Sequence, residues 1–529
     1  MTSQKKSAKS QALLKIGLAL VVLVLINIIS IRLFGRLDMT ERSIFSLSEA
    51  SKKLVGSLDD KIIVKAFFTE DLPPPYNNNR RALLDQLNEY KAYSTGNLQF
   101  EFIDPTGEKT EQEAQQQGVV PVQVQVVNED RFEAKRAFMG VVFLYEDKKE
   151  VIPVVQNMSS LEYDISSTIK RLTTRTRKKV GFLSGHGEPG LNELTRVQQD
   201  LSKQYDVTPV DAGTNPVPED ITTLIVMAPK TKIQEAAKYN IDQFIMRGGR
   251  VAFLLNRVEA DLQQQFGRRI DVGVEDLLEN YGLQLNNDIV RDVQCANISI
   301  VQQQFGFQMQ SQVPFPYLPV VSSFSQDNVM VKDLKGLVLF FASSVDTTAL
   351  AGKGLTAEVF MKSSTESGRK TETEYFPVNP LERFAPADFL EKEIPLGVIV
   401  SGEFKSLYAT KPVPQDTSAG MVPNTPPILS SPRTRIILIG DGDFARDQYL
   451  SNKDNLTIIA NLVDYLSDDA GLITIRSKDV SLPPLEQVSE GTKKMIKYGN
   501  MFLPPVLVLV FGLVRWRMRK ARRKALEIR

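Results

Sequence analysis

Apolar positions along this chain change pattern three times: an unbroken run at each end, short alternating runs near the start, and continuous runs separated by helical periodicity in the middle. Crossing a bilayer as a helix takes roughly 20 mostly apolar residues. Ile16 to Ile31 (IGLALVVLVLINIISI) is uncharged and extends to residues 12–35 if Lys15 and Arg32 snorkel outward. Tyr498 to Val514 is also uncharged, contains Pro504 and Pro505, and is followed by the only tryptophan, Trp516, at an aromatic-belt position. Both runs predict transmembrane helices, over 12–35 and 498–516. A cleaved signal peptide is the alternative for the first, but Ile29, Ser30, Ile31, Arg32, Leu33 and Phe34 offer no small-residue cleavage site.

Basic residues set the expected orientation, because short positive flanks stay on the cytoplasmic side. Lys5, Lys6, Lys9 and Lys15 precede the first run, and the tail after the second carries Arg515, Arg517, Arg519, Lys520, Arg522, Arg523, Lys524 and Arg529 against Glu527 alone. Both termini, 1–11 and 517–529, are therefore expected in the cytoplasm of a bacterium, with the main region periplasmic and the basic tail against anionic membrane lipid.

Between the ends, Ser46 or Ser48 opens a juxtamembrane helix within 36–58. Lys61–Thr69 reads as a strand, Ala82–Tyr93 as an amphipathic helix, and Asn97–Asp104 as a second strand. A polar helix around Thr110–Gln117, the run after Pro121, and the hairpin MGVVFLYE with KEVIPVV complete a β-α-β-α-β-β order over 59–156. That order resembles a thioredoxin-like fold, although TEDLPPPYNNN stands where that family carries C-x-x-C, so thiol exchange is excluded. A connecting helix follows over 157–177.

From Lys178 the pattern switches to hydrophobic strands alternating with helices, the signature of a doubly wound, largely parallel α/β sheet. Its expected strands are Val180–Ser184, Asp206–Asp211, Thr223–Ala228 and Arg250–Leu255, joined later by VLFFASS, LGVIVSGEF and RIILIGDGDF. Its helices are Glu193–Gln204, Ile233–Arg247 and Asn455–Leu466, the second stopped by Gly248 and Gly249. This domain spans 178–475, with aperiodic insertions at 302–330 and, where six prolines cluster, 411–435. A linker over 476–497 leads to the second apolar run.

A net charge of +1 proposes no nucleic-acid partner, and a single cysteine, Cys295, excludes an internal disulfide. Two loops hold candidate chemistry. SGHGE places the only histidine, His186, and Glu188 after a strand, where open α/β sheets bind ligands. IGDGDFARD places Asp441, Asp443 and Asp447 after the last strand. One imidazole with one carboxylate is too little for a metal site, and the aspartate spacing is not an EF-hand. His186, Glu188, Asp441 and Asp443 are therefore candidate ligand-binding residues, with no catalytic residue, metal or cofactor expected. Neither G-x-G-x-x-G nor G-x-x-x-x-G-K-[ST] occurs, so the chain is not its own ATP-driven motor and is expected not to be an enzyme.

Several stretches together resemble the auxiliary component of the ABC-type transporter associated with bacterial gliding motility, the GldG-like group. They are RLDMTERSIFSLSEASKKL (Arg36–Leu54), SSLEYDISSTIKRLT, KKVGFLSGHGEPGLNEL (Lys178–Leu194), FIMRGGRVAFLLN, IILIGDGDF and the basic terminal run. The resemblance implies a central domain similar to a class I glutamine-amidotransferase-like or intraflagellar-transport type fold, generally without catalytic residues. It also implies a membrane permease and a separate cytoplasmic ATPase as partners. A glycan- or peptide-binding module acting in the cell envelope is the rival reading, using the loops at His186 and Asp441 and the aromatic stretch FGFQMQSQVPFPYLP.

Overall fold

A computed structural model describes residues 46–475 with gaps, the longest at 415–425, and helical positions scattered between 495 and 518. The chain divides into two units, Met1–Asp479 and Val480–Arg529.

In the first unit the helix Glu49–Gly56, capped by Ser48, precedes strand β1 (Ile62–Phe68). Ile62, Val64 and Ala66 are buried while Ile63 is 45% exposed, the alternation of a strand with one covered face. The helix Asn77–Tyr93 leads to β2 (Leu98–Ile103), which pairs parallel to β1. Strands β3 (Val122–Asn128) and β4 (Arg131–Ala137) form a separate two-stranded ribbon, and β5 (Met139–Tyr145) and β6 (Lys148–Ile152) return antiparallel, giving the sheet order β2-β1-β5-β6. The helix Leu161–Thr173 packs on β5 and β6, where Arg171 meets Glu150 at 3.1 Å.

An eight-stranded mixed sheet organises the rest. Strands β7 (Lys179–Leu183), β8 (Asp206–Val210), β9 (Ile221–Met227) and β10 (Arg250–Leu254) run parallel with the strand Ser430–Ile439. Pro395–Lys405, Thr356–Lys362 and Ser323–Phe324 extend that edge antiparallel. Successive residues of the parallel strands enter opposite cores. Ile225, Met227, Ala252, Leu254, Ile437 and Ile439 face the helices Thr195–Leu201 and Lys453–Leu466, whereas Leu224, Val226, Val251, Phe253, Ile436 and Leu438 face Glu235–Met246. Burial on both faces explains why these strands read as unbroken hydrophobic runs.

The fold class expected from the sequence, a thioredoxin-like domain and a doubly wound α/β domain flanked by two transmembrane helices, is corrected. The chain is a mixed α/β structure with many strands in seven sheets among the described residues, and none of its described helices is long and apolar enough to cross a membrane. Residues 12–35 lie outside the described residues. The expected helix over 498–516 is described only at scattered helical positions. In that second unit Met501, Phe502, Phe511, Leu513 and Trp516 are each more than half exposed, and the rings of Tyr498 and Phe502 stack at 6.3 Å.

Two local expectations also change. VLFFASS does not join the main sheet: Leu337–Val338 pairs with Val320 and Val321, and Phe341 turns the backbone at a φ of +51°. The stretch read as an aperiodic insertion from 302 forms a long antiparallel ribbon, Cys295–Gln304 against Phe307–Val321. Along its described part the exposed Asn297, Ser299, Gln310 and Gln312 share one face and the half-buried Ile298, Ile300 and Val313 the other, the alternation of a strand with one covered face.

Candidate functional site

Five parallel strands end on one side of the main sheet, and all four candidate residues lie in the loops that leave them. After β7, the backbone turns through Gly185 and Gly187 at positive φ, which a side chain would strain. His186 between them is 4% exposed. Its carbonyl accepts the backbone N–H groups of Lys230 and Thr231, tying this loop to the one after β9. Glu188 is equally enclosed: one oxygen accepts the His186 backbone N–H at 2.6 Å and the other meets Nδ1 at 3.1 Å. The structure therefore brings His186 and Glu188 together as a buried pair that holds the turn.

Asp441, at the end of the last parallel strand, is fully buried. Its carboxylate accepts the backbone N–H groups of Phe340 at 2.6 Å and of Asp443 at 2.7 Å. Burial, and next the neighbouring charge of Asp443, push its pKa well above the ordinary carboxylate value. Asp443 accepts from the Asn256 side-chain amide at 2.6 Å and from Arg446 at 3.1 Å, while the Asn256 carbonyl accepts the Gly442 N–H at 2.7 Å. Asn256 follows β10, so one amide joins the exits of two adjacent strands.

The two candidate loops are not in direct contact, since β9 and β10 lie between their strands. They are linked at their far ends. Arg446 forms an ion pair with Glu193, and Asp447 accepts the backbone N–H groups of Thr195 and Arg196. Partial burial raises the Asp447 pKa, but those N–H groups outweigh it and hold the carboxyl below its ordinary value.

Beside this framework lies open space that the sequence reading missed. A recess of about 180 Å³ is lined by Ala228, Lys230, Asn256, Asp443, Arg446 and Tyr449. It shares Phe340, Phe341, Glu259 and Tyr449 with a larger cleft of about 900 Å³. Two non-glycine residues at the recess, Ala228 and Phe341, hold φ of +41° and +51°, a cost of order 1 kcal/mol or more that clusters at functional sites. The Nε of Arg446 is buried and has no hydrogen-bond partner, although both its terminal nitrogens are engaged. A basic residue three positions beyond Asp443 was the only sequence signal for this arginine, and nothing marked Asn256. Among the described residues no group of three or more His, Cys, Asp or Glu side chains is placed to hold a metal ion. The arrangement can bind and orient a polar ligand; a nucleophile next to a base is not assembled by these side chains.

Comparison with known proteins places these elements. Residues 41–144 match a domain of unknown function, DUF7088. A protein of Borreliella burgdorferi, described as an uncharacterized protein, is 24% identical over 528 residues, covering 96% of this chain and 98% of that one. Among solved structures, the mmIFT52 N-terminal domain aligns with 15% identity and a TM-score of 0.32, over 55% of this chain and 97% of that domain. PurLQS from Thermotoga maritima aligns with 7% identity and a TM-score of 0.25, over 55% and 100%. Likeness that slight carries no argument about function. Residues 177–466, which contain the whole eight-stranded sheet and every loop described above, match the family described as an ABC-type uncharacterized transport system. The chain belongs to that auxiliary family of ABC-type transport systems.

Proposed function

We propose that this protein is the accessory, non-ATPase subunit of an ABC-type transport system, and that it engages the substrate or the partner permease through the loops at the carboxyl ends of its parallel strands. The observation that carries the reading is the family match over 177–466, which covers the sheet and its strand-end cleft together. On this reading a separate ATPase hydrolyses ATP and a permease provides the path, while this chain contributes binding and no bond chemistry. His186 is tied into the framework of these loops: its Nδ1 meets Glu188 and its carbonyl accepts from the loop after β9. The stretches Arg36–Leu54 and Lys178–Leu194 support a finer assignment to the gliding-associated, GldG-like subgroup. Its place of work is the membrane, beside the permease.

The test is affinity purification of the full chain from bacterial membranes in mild detergent, with identification of co-purifying subunits. A permease and an ATPase should be recovered in fixed ratio. Recovery of the chain with neither, from membranes in which both are expressed, overturns the proposal.

A further inference from the structure

The cleft beside the strand ends is built differently from the buried framework beneath it. Its volume of about 900 Å³ lies within the range of about 300–1,000 Å³ usual for small-molecule sites. One wall is aromatic: Phe340 and Tyr449 lie with ring centroids 4.6 Å apart and planes inclined by 37°, and Phe266, 41% exposed on the strand Phe266–Arg269, also lines the cleft. Around these rings sit planar polar groups, among them Asp261, Gln264, Arg268, Asn297 and Gln448.

Charge narrows the class of ligand. Across the cleft and its adjoining recess the acids are Glu259, Asp261 and Asp443, and the bases are Lys230, Arg268 and Arg446. Three face three, and two of the acids already have a partner here: Lys230 lies 3.5 Å from Glu259 and Arg446 lies 3.1 Å from Asp443. A net anion or cation would have to displace one of these pairs without gaining a surplus of opposite charge. A neutral ligand need not. Amides that donate and accept, carboxylates that accept and guanidinium groups that donate together offer both kinds of partner at fixed angles, which suits a molecule whose groups do both. Amphipathic rings offer apolar faces beside them. A sugar has that composition: a ring of hydroxyls that donate and accept, and an apolar face of C–H bonds that lies flat on an aromatic ring. Arg446 lines the adjoining recess with its guanidinium 6.0 Å from the Tyr449 ring. The positive φ of Phe341 is the local distortion that carries the chain past this wall.

We infer that this cleft is a binding site for a short neutral oligosaccharide, held by stacking on Phe340 and Tyr449 and by hydrogen bonds to the polar rim. The inference deepens the substrate-engaging part of the function proposed above and rests on it. A peptide is the competing occupant, and the aromatic wall together with the charge-balanced rim favours the sugar.

The full chain, purified in a zwitterionic detergent that contains no sugar, is titrated by calorimetry with maltotetraose, cellotetraose and chitotetraose. Tetragalacturonate and tetra-alanine serve as the charged and peptide probes. Binding of at least one neutral tetrasaccharide is expected, with affinity lowered at least tenfold by Tyr449→Ala and an unchanged thermal midpoint. Gln448→Ala, at an exposed rim position, should weaken the same titration and provides the test if Tyr449→Ala fails to fold. No heat from any neutral tetrasaccharide, stronger binding of tetragalacturonate or tetra-alanine, or full affinity in both variants overturns the inference. Saccharide binding without a co-purifying permease would remove the transport reading and leave this site standing; a permease without saccharide binding does the reverse.

Discussion

Asp447 caps the helix that begins at Thr195: its carboxylate accepts the Thr195 backbone N–H at 2.8 Å and that of Arg196 at 3.1 Å, across 252 residues of chain. The helix Thr195–Leu201 has no capping side chain of its own, because Leu194 occupies the cap position. Asp447→Ala should therefore lower stability by about 1 kcal/mol, the usual cost of losing a cap, with Asp447→Asn milder because one acceptor remains. The depressed pKa of Asp447 fixes the pH dependence. Its contribution is present above the ordinary carboxyl value of 3.8 and is lost as pH falls through its lower folded value. Urea unfolding of wild type and Asp447→Ala should accordingly converge in acid; a constant gap down to the lowest pH at which the chain folds would show that the cap acts only through packing.

Asp441 behaves in the opposite sense. Its folded pKa is raised by burial and by Asp443, so protonation is favoured in the folded state. The associated stability is complete below 3.8 and is lost as pH rises through the folded value. Removing the charge is still expected to harm the fold. Both carboxylate oxygens accept backbone N–H groups, from Phe340 and Asp443, and Asp441→Asn sets an N–H₂ group against one of them. The cost should be about 1–3 kcal/mol, the penalty for a buried donor without an acceptor. Denaturant midpoints measured across the carboxylate-to-neutral range should show Asp441→Asn less stable throughout and less dependent on pH than wild type.

A third expectation concerns the start of the described chain. The Ser48 N–H and the Ser51 hydroxyl both donate to one oxygen of Glu162 at 2.7 Å, and the Leu47 N–H donates to Glu89 at 2.9 Å. Ser51 also meets Ser166, whose hydroxyl lies 2.6 Å from that of Tyr90. These groups are buried, so Glu162→Ala strands the Ser48 N–H, leaves the Ser51 hydroxyl only Ser166 as acceptor, and should cost about 1–3 kcal/mol. The informative measurement is amide exchange. Ser48 and Leu47 should lose protection far more than β1 does, and uniform loss across the domain would refute a local clamp.

The parts of this architecture that were legible in the sequence are those governed by short-range pattern. Val180–Ser184, Thr223–Ala228 and Arg250–Leu255 were identifiable because strands buried on both faces are continuous apolar runs, and His186 and Asp441 could be located at strand ends for the same reason. What escaped depends on distant pairing. Asn256 and Asp443 are 187 positions apart, and Arg446 and Glu193 are 253, so nothing local to either residue marks the contact. VLFFASS misled for a different reason: Leu339 and Ala342 pack on one face of the main sheet without pairing in it, while Phe340 and Phe341 line the cleft wall and a satellite core with Phe315 and Tyr317. The terminal apolar runs stand apart from this test: residues 12–35 lie outside the described residues, and no described helix is long and apolar enough to cross a membrane.

The glycines of IGDGDF offer the sharpest test of how this site is held. The sequence drew attention to the aspartates, as though charge were the purpose of the motif. The geometry assigns the constraint to Gly440 and Gly442 instead. A β-carbon at Gly440 would fall 1.8 Å from the Ser343 carbonyl oxygen, and one at Gly442 would fall 2.3 Å from that of Leu254 and 2.7 Å from the Ala228 nitrogen. Both obstacles are backbone, which cannot rotate aside as a side chain would. Gly440 also exchanges hydrogen bonds with its neighbours, accepting from the Ser343 N–H and donating to the Leu396 carbonyl. Shifting it would disturb the end of a central strand as well as the loop. Gly440→Ala should therefore cost more than the about 1–3 kcal/mol typical of an overpacked core, and Gly442→Ala about that amount. Because Asp441 lies between them, both substitutions should also displace its carboxylate from Phe340 and reshape the aromatic wall. Thermal unfolding that ranks Gly440→Ala below Gly442→Ala, and both well below Asp443→Asn, is the expected order. An Asp443→Asn variant less stable than either would return the aspartates to the centre of the motif.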